Sequence, residues 1–296
     1  MIRITSQGTT ARLMEHLQTT QARLAETQDR MGTGRRINRP SDDPFGNSRA
    51  MSMHADLAQI TQRQRNIELA KSELGVTEAS LDSLGRVLSR AQELAVQADS
   101  STVDADGRAA IAAEIDRLIQ EAATIGNTSY GGRRIFGGYQ STTKPFTPDA
   151  ASNATVVTYS GDAGVITRAI GNGESIEVNL DGQALFGGVF NSLIAFRDGL
   201  NTNDRTAIGA ASSALGNDAD RALLARGEIG ARTRRVDLAS DRLEGDQITL
   251  QTQISQLEDA DLTQEAVDLQ MRDTALQAAL SATAKSLTTS LLQFLR

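Results

Sequence analysis

The amino-acid sequence predicts a mainly α-helical protein: a bundle of long coiled-coil helices formed by the N- and C-terminal halves of the chain, with a small β-rich insertion domain. Seven-residue hydrophobic repeats occur in both halves. A stretch rich in Gly, Thr and Ser, with alternating apolar residues, separates them. Aromatic residues make up only 3% of the 296 residues and tryptophan is absent. We therefore expect an aliphatic core of helices packed on helices.

The first long helix is predicted by the clearest repeat in the sequence. Between Ile67 and Ala98, alternating steps of three and four residues connect ten positions. None of these positions is charged, as is typical of a coiled-coil core. These positions are Ile67, Ala70, Leu74, Thr77, Leu81, Leu84, Leu88, Ala91, Ala95 and Ala98. Extended back to Pro44, the pattern predicts one continuous helix to about Ser100, roughly 80 Å long.

Two further helices are available to pack against the first. The longer one has apolar residues every seven positions, at Ile229, Val236, Leu243, Leu250 and Leu257. A shorter amphipathic helix follows the loop "SSTVDADG" and is ended by Gly126. Its apolar positions are Ile111, Ile115, Leu118, Ala122 and Ile125.

Residues 130 to about 200 have a different character. Alternating runs such as "ATVVTYSG" and "ESIEVNLDG" are separated by turns of Gly, Asn and Asp. This pattern predicts a small β insertion. Helical spacing of Ala, Leu and Ile returns at "VFNSLIAFRDGL".

Both ends of the chain are amphipathic. Near the start the apolar stripe consists of Met14, Leu17, Gln21, Leu24, Gln28 and Met31. Near the end it consists of Leu269, Leu276, Leu280, Thr283, Leu287, Ser290, Leu291 and Phe294. Helices of about 30 residues with small and polar core positions are marginal alone in water. We therefore expect both segments to need another surface to cover them, which makes their apolar residues candidate assembly contacts.

The stretch "TGRRINRPSDDPFG", residues 33 to 46, joins two predicted helices. Glycines at 32 and 34 can end the first helix, and Pro40 restricts Arg39 to extended backbone. Asp43 followed by Pro44 is a typical cap and first turn of the second helix. The charged residues of this segment are also candidate interface residues, and they are Arg35, Arg36, Arg39, Asp42 and Asp43.

Charge and composition exclude several kinds of function. The net charge of −7 argues against nucleic acid as a partner, and the absence of cysteine excludes disulfides and thiolate chemistry. The two histidines, His16 and His54, lie on predicted helices without a second metal ligand at a suitable spacing. Neither a metal-peptidase HExxH nor a phosphate-binding loop occurs. We expect no catalytic site, cofactor or metal, and the lack of a long apolar run predicts no membrane insertion.

Three separated blocks of sequence point to a known family. They are "MGTGRRINRPSDDPFG", "AQELAVQADS" and "SQLEDADLTQEAVDLQMRDTALQAALSATAKSLTTSLLQFLR". At both ends of the chain and in this order, they resemble the bacterial flagellin family over residues 1 to 140 and 215 to 296. The "MIRIT" start, "INRPSDDP" and "IFGGYQSTTKPF" resemble the members at the hook–filament junction more than the filament members. The short insertion is also similar to that of the junction members.

The resemblance implies a division into three parts. The terminal coiled-coil layer would comprise residues 1–40 with 258–296. The helical rod bundle would comprise 41–140 with 205–257, and the β-rich outer insertion would comprise 141–204.

The resemblance also implies a function and partners. The chain would be a structural subunit that polymerises as an adaptor between hook and filament of the bacterial flagellum, outside the cell. Its partners would be copies of itself, neighbouring hook-associated and flagellin subunits, and a cytoplasmic export chaperone. The resemblance implies export through the flagellar type III apparatus with an uncleaved N-terminal signal, which matches an N-terminus without the apolar segment of a cleaved signal. Filament flagellin is the alternative, and an intracellular coiled-coil scaffold is the remote one.

Overall fold

The computed structural model of the protein describes residues 6–100 and 103–294, with the backbone alone for residues 6, 7, 9, 10 and 286–294. These residues form six α-helices and six short strands. The helices are α1 (Ser6–Thr33), α2 (Pro44–Asp99), α3 (Ala105–Gly126), α4 (Gly182–Asn201), α5 (Arg205–Glu258) and α6 (Leu262–Phe294). The strands are β1 (Ser129–Tyr130), β2 (Arg133–Arg134), β3 (Phe146–Pro148), β4 (Val157–Tyr159), β5 (Thr167–Ala169) and β6 (Ser175–Glu177). The predicted fold class is confirmed.

The chain divides into two compact units. A terminal unit contains residues 1–59 and 246–296, and a central unit contains residues 60–245. Helices α2 and α5 contribute to both units, because each is continuous across a boundary.

Helix α2 confirms the predicted coiled-coil pattern. All ten positions of the repeat from Ile67 to Ala98 are buried in the central unit. The one polar member, Thr77, donates its hydroxyl to the Glu73 carbonyl oxygen at 2.9 Å, so it leaves no unpaired group in the core. On α5, Ile229 and Val236 are fully buried as well. An ion pair between Lys71 Nζ and Asp237 Oδ1 at 3.0 Å joins the two helices outside this core.

Helices α3 and α4 complete the helical part of the central unit by packing against each other. The predicted apolar positions of α3 are all buried. Between the two helices lies the buried guanidinium of Arg197, which donates to Asp116 Oδ1 at 3.2 Å and to the Ala154 carbonyl oxygen at 2.6 Å. A buried charge is tolerated here because it is paired and hydrogen-bonded.

Five of the six described helices begin after an aspartate whose side chain accepts backbone N–H groups of the first turn. This contact satisfies donors that have no partner within the helix. The capping residues are Asp43, Asp104, Asp181, Asp204 and Asp261. The predicted cap at Asp43 is confirmed. At the last helix, Asp261 accepts the backbone N–H groups of Thr263 and Gln264 at 2.9 and 3.2 Å.

The strands form three separate antiparallel pairs, β1–β2, β3–β4 and β5–β6. The expectation of an aliphatic core is wrong in this region. Five aromatic rings pack with centroids 5.0 to 5.3 Å from that of Phe146 or of a neighbouring ring, and they belong to Phe136, Phe146, Tyr159, Phe186 and Phe190. The chain has few aromatic residues, but the fold concentrates them beside the short strands. Each aromatic side chain buries a large apolar area, which short strands with few residues otherwise lack.

The β5–β6 hairpin is attached to both long helices of the central unit. Its inward-facing Ile170 and Ile176 are buried. Arg168 forms two hydrogen bonds with the Glu73 carboxylate of α2, at 2.7 and 3.2 Å, which raise the pKa of Arg168. On the other side, Arg232 of α5 donates to Glu177 Oε2 at 2.8 Å. The hairpin is therefore held by apolar burial and by ion pairs together.

Candidate assembly surfaces

The segment between α1 and α2 begins with a glycine that ends the first helix. Gly34 has φ +68° and donates its N–H to the Arg30 carbonyl oxygen at 2.8 Å. This left-handed conformation is favourable for glycine and is the usual end of a helix. The predicted stop at this position is confirmed.

The same segment pairs with the turn between α5 and α6. Arg36 N–H donates to the Glu258 carbonyl oxygen at 2.6 Å, and Ala260 N–H donates to the Gly34 carbonyl oxygen at 2.9 Å. Arg35 and Asp259 form an isolated antiparallel β-bridge between the two segments. Because the two turns are joined in this way, α1 ends where α6 begins, and the two helices pack side by side.

Glu258 is the charged centre of this joint. Its side chain is largely buried and its Oε1 lies 3.0 Å from His54 Nε2, while its Oε2 lies 3.7 Å from Arg35 Nη1. Arg36 donates to the Leu257 carbonyl oxygen at 2.8 Å. No local pattern in the sequence indicates this role of Glu258, because its partners Arg35 and His54 lie more than 200 positions away.

The two aspartates of the joint have separate local tasks. Asp42 Oδ2 accepts the backbone N–H of Arg39 at 2.8 Å and of Asn38 at 3.0 Å. These hydrogen bonds lower the pKa of the Asp42 carboxyl because they stabilise its charged form, and the bond from Arg39 has the largest effect. Asp43 caps α2 and lies 3.7 Å from Arg36. The charged segment is thus folded by contacts within the chain.

Helices α1 and α6 cover each other only in part. Leu17, Leu24 and Met31 of α1 and Leu269 and Leu276 of α6 are half-buried. The well-buried positions of this pair are polar: Thr27, Glu265 and Thr283. Two helices alone thus leave these apolar side chains partly open to solvent. Much of the apolar surface is therefore available for a third surface to cover.

An uncharged stripe runs along one exposed flank of α1. Its members follow steps of four and three residues, so they share one side of the helix. We call these residues the α1 stripe: Met14, Gln18, Gln21, Ala25 and Gln28. The sequence pattern placed Met14, Gln21 and Gln28 in the helix core, whereas in the structure they lie beside it and are exposed. Charged residues such as Arg23, Glu26 and Arg30 lie on other sides of the helix.

A second uncharged stripe lies on the exposed side of α6. We call these residues the α6 stripe: Val267, Met271, Thr274, Ala278 and Ser281. The hydroxyl groups of Thr274 and Ser281 donate to the backbone of their own helix at 2.8 and 2.9 Å. Burial of this stripe would therefore leave neither a charge nor a hydroxyl donor unpaired.

Helix α5 carries an exposed apolar surface in the central unit that the sequence reasoning missed. Leu224 and Leu238 are 74% and 67% exposed, and Ala231 lies midway between them at seven-residue spacing. The neighbouring Leu223 is 67% exposed and borders a groove of about 380 Å³ between α2 and α5. The seven-residue spacing of Leu224, Ala231 and Leu238 was visible in the sequence. It was overlooked because the buried repeat of Ile229 and Val236 on the same helix is more strongly apolar.

The predicted assembly residues fall into three groups according to the exposure of their side chains. Their role in contacts between copies stays a prediction. Leu17, Leu24, Met31, Asp43, Leu269 and Leu276 are half-buried. Met14, Arg35, Arg36, Arg39, Asp42 and Leu280 are exposed. The side chains of Leu287, Leu291 and Phe294 lie outside the described residues.

Other kinds of site have little support among residues 6–100 and 103–294. No group of three or more His, Asp or Glu residues in these ranges is placed to hold a metal ion. No helix within them is both long and apolar enough to cross a membrane.

Comparison with known proteins decides the family. Residues 4–141 match the bacterial flagellin N-terminal helical region, and residues 205–295 match the bacterial flagellin C-terminal helical region. The chain belongs to the bacterial flagellin family. This is a family of structural proteins of the extracellular flagellum.

Individual relatives refine the family assignment. The chain is 28% identical to flagellar hook-associated protein 3 of Escherichia coli, over 91% of this chain and 92% of that protein. The crystal structure of Bacillus cereus FlgL has a TM-score of 0.61 and 25% identity, and covers 69% of this chain and 99% of that one. A flagellin of Halalkalibacterium halodurans is 27% identical over 92% of this chain and 91% of that protein. The matches to hook-associated protein 3 and to FlgL support the predicted function, a structural protein of the hook–filament junction.

Proposed function

We propose that this chain is a structural subunit that polymerises between the hook and the filament of the bacterial flagellum. The observation that carries the proposal is the match to hook-associated protein 3, which extends over nearly the full length of both chains. A junction subunit must contact copies of itself as well as different subunits above and below it. Such contacts are heterologous, so they extend an array instead of closing a dimer.

The α1 and α6 stripes supply the contact surfaces of this proposal. Both are uncharged and exposed, in a chain of which 23% of residues are charged. Burying an apolar side chain contributes roughly 1.5 to 3 kcal/mol, whereas burying an unpaired charge is strongly unfavourable. Neighbouring copies can therefore cover these stripes without burying a charge, and the three glutamines of the α1 stripe then need hydrogen-bond partners across the contact. The exposed leucines of α5 provide a further contact surface in the central unit.

The three-part division also belongs to the proposal: a terminal layer of residues 1–40 and 258–296, a helical bundle of 41–140 and 205–257, and an insertion of 141–204. The pairing of α1 with α6 supports the first part. Four of the six described strands, β3 to β6, lie within 141–204 and support a β-rich part there, whereas β1 and β2 precede this range and α4 lies inside it.

Export and protection before assembly complete the proposed function. The chain is exported through the flagellar type III apparatus, is secreted, and is covered by a cytoplasmic chaperone until export. The half-covered apolar faces of α1 and α6 support this step, because exposed apolar stripes lead to association at the wrong place. The chaperone would protect α6.

Imaging of cells that lack this protein tests the proposal. We expect hooks without filaments, with flagellin released into the medium, because export continues while the adaptor is missing. Bare hooks without released flagellin would contradict the junction role and support filament flagellin, the alternative that the Halalkalibacterium match favours. Copy number separates the two roles independently, since a junction contains few subunits and a filament contains many.

A further inference from the structure

The turn of the β5–β6 hairpin contains the sequence Asn172–Gly173, the single Asn-Gly pair in the chain. Both residues are exposed. Gly173 has φ +72°, and no hydrogen bond of its N–H or of the Asn172 side chain is found among the described residues. The amide and the following nitrogen are therefore unrestrained, and glycine places no side chain beside that nitrogen.

We propose that Asn172 is a site of spontaneous deamidation. The Gly173 backbone nitrogen loses its proton and attacks Cγ of Asn172, the Cγ–Nδ2 bond breaks, and ammonia leaves. The product is a five-membered cyclic imide. Water then adds across one of its two carbonyl–nitrogen bonds and gives either aspartate or isoaspartate. The net reaction consumes one water and releases one ammonia, so it needs no oxidant and no enzyme.

Other asparagines of the described chain lack this combination. Asn127 exchanges two hydrogen bonds with the backbone of Phe146, at 2.6 and 3.0 Å. Asn179 accepts from the Ile166 N–H and donates to the Gly164 carbonyl oxygen, at 2.8 and 2.7 Å. Exposed Asn153 is followed by alanine, whose methyl group hinders the attack. Asn172 should therefore react first.

The two products differ in their effect on the hairpin. The turn is closed by hydrogen bonds from the N–H groups of Ile170 and Gly171 to the Glu174 carbonyl oxygen, at 3.0 and 3.2 Å. Isoaspartate inserts an extra main-chain carbon into this turn and disturbs that register. Aspartate leaves the main chain unchanged and adds a negative charge two residues before Glu174, whose carboxylate lies 3.1 Å from Arg242. Isoaspartate formation thus loosens the hairpin from α2 and α5, whereas aspartate leaves it docked.

Peptide mapping of the aged, full-length protein tests the site. The folded chain is incubated at mildly alkaline pH, digested, and compared with a sample incubated in urea. We expect conversion at Asn172 before Asn153, at a similar rate in both samples. Conversion at Asn172 in urea only, or no earlier than at Asn153, would overturn the proposal. Asn172→Gln is the matched control, because its longer side chain cannot form the five-membered ring, and it should lose the modification.

Hydrogen exchange of the hairpin tests the consequence. Aged protein should lose protection at the amide groups of residues 167–177, and Asn172→Asp should retain the protection of the fresh chain. Unchanged protection in aged, fully converted protein would contradict the loosening. Equal loss in Asn172→Asp would assign the effect to charge and overturn the role of the inserted carbon. Circular dichroism of each variant verifies that the helices remain folded.

Discussion

At the scale of single residues, burial decides which leucines of the long helices matter for stability. Leu84 is fully buried in the central unit, whereas Leu223 is mostly exposed. The two residues have the same side chain on neighbouring helices, so they form a natural pair for comparison.

We expect Leu84→Ala to lower the free energy of unfolding by about 2 to 5 kcal/mol, because it leaves a cavity. Leu84→Asp should be more severe and abolish the cooperative transition, since it buries a charge without a partner. Thermal and urea unfolding measure both effects. Leu223→Asp is the control and should change the free energy by no more than about 0.5 kcal/mol. Normal melting of the Leu84→Asp variant would contradict the burial of Leu84 in a coiled-coil core.

Tyr159 makes the stability of the folded chain depend on pH in the alkaline range. Burial, together with the nearby carboxylates of Asp181 and Asp162, raises the pKa of its phenol to about 12, from an ordinary value of 10.0. The phenol therefore remains neutral in the folded chain where it ionises in the unfolded chain. Its contribution to stability is complete below about pH 10 and is lost as the pH rises toward 12.

The variant Tyr159→Phe should remove this part of the pH dependence. At neutral pH it loses the hydrogen bonds to the carbonyl oxygens of Phe136 and Asp162, at a cost of roughly 1 kcal/mol. Urea unfolding at pH 7 and between pH 10 and 12 measures both quantities. If the wild-type chain and the variant lost stability in parallel above pH 10, another group would be responsible.

At the scale of elements, α1 and α6 depend on each other more than on the rest of the chain. A deletion of residues 262–296 removes α6 but keeps Glu258, Asp259 and Ala260, which form the joint. We expect α1 to lose its helical structure, because a single helix of this length is marginal in water. The helices of the central unit should melt as before.

Circular dichroism and hydrogen exchange of the deletion variant measure this outcome. Protection should disappear at residues 11–33 and persist at residues 67–98. Retained protection of α1 would show that it is stabilised without α6. Assembly should also fail, and normal junctions built by the shortened chain would contradict the role of α6 in polymerisation.

The stripes can be tested without deleting an element. Glutamate at Ala25 or Ala278 places a charge in the α1 or α6 stripe, whereas Thr19→Glu places it on another exposed side of α1. All three sites are solvent-exposed helix positions, so we expect little change in the stability of the isolated chain. The first two variants should abolish assembly in cells and the third should preserve it. Equal assembly by all three would exclude the stripes as contacts.

At the scale of the whole molecule, the chain combines a well-packed central unit with a terminal unit that is incompletely covered. The central unit buries an entire ten-residue repeat and several aromatic rings. The terminal pair buries chiefly Thr27, Glu265 and Thr283. An incompletely covered pair is suitable for a subunit that must remain apart before assembly and become ordered within a polymer.

This contrast predicts different hydrogen-exchange behaviour before and after assembly. In the dilute single chain, residues 11–33 and 262–285 should exchange much faster than residues 67–98, because few apolar contacts protect them. In assembled material the terminal residues should become protected. Equal protection of both units in the single chain would contradict the proposed need for neighbouring copies.

The sequence by itself determined the long helices, the ends marked by Gly34, Asp43 and Gly126, and the family, whereas most of α4 falls in a stretch predicted as β-rich. Local signals sufficed, since the α2 repeat, Gly34 and the Asp43 cap each act within a few residues of the chain. Only the tertiary structure decided which side of α1 faces α6, and it revealed the aromatic core, the joint at Glu258 and the exposed leucines of α5. These features depend on residues far apart in the chain, and a helical repeat fixes spacing without fixing which neighbour covers it.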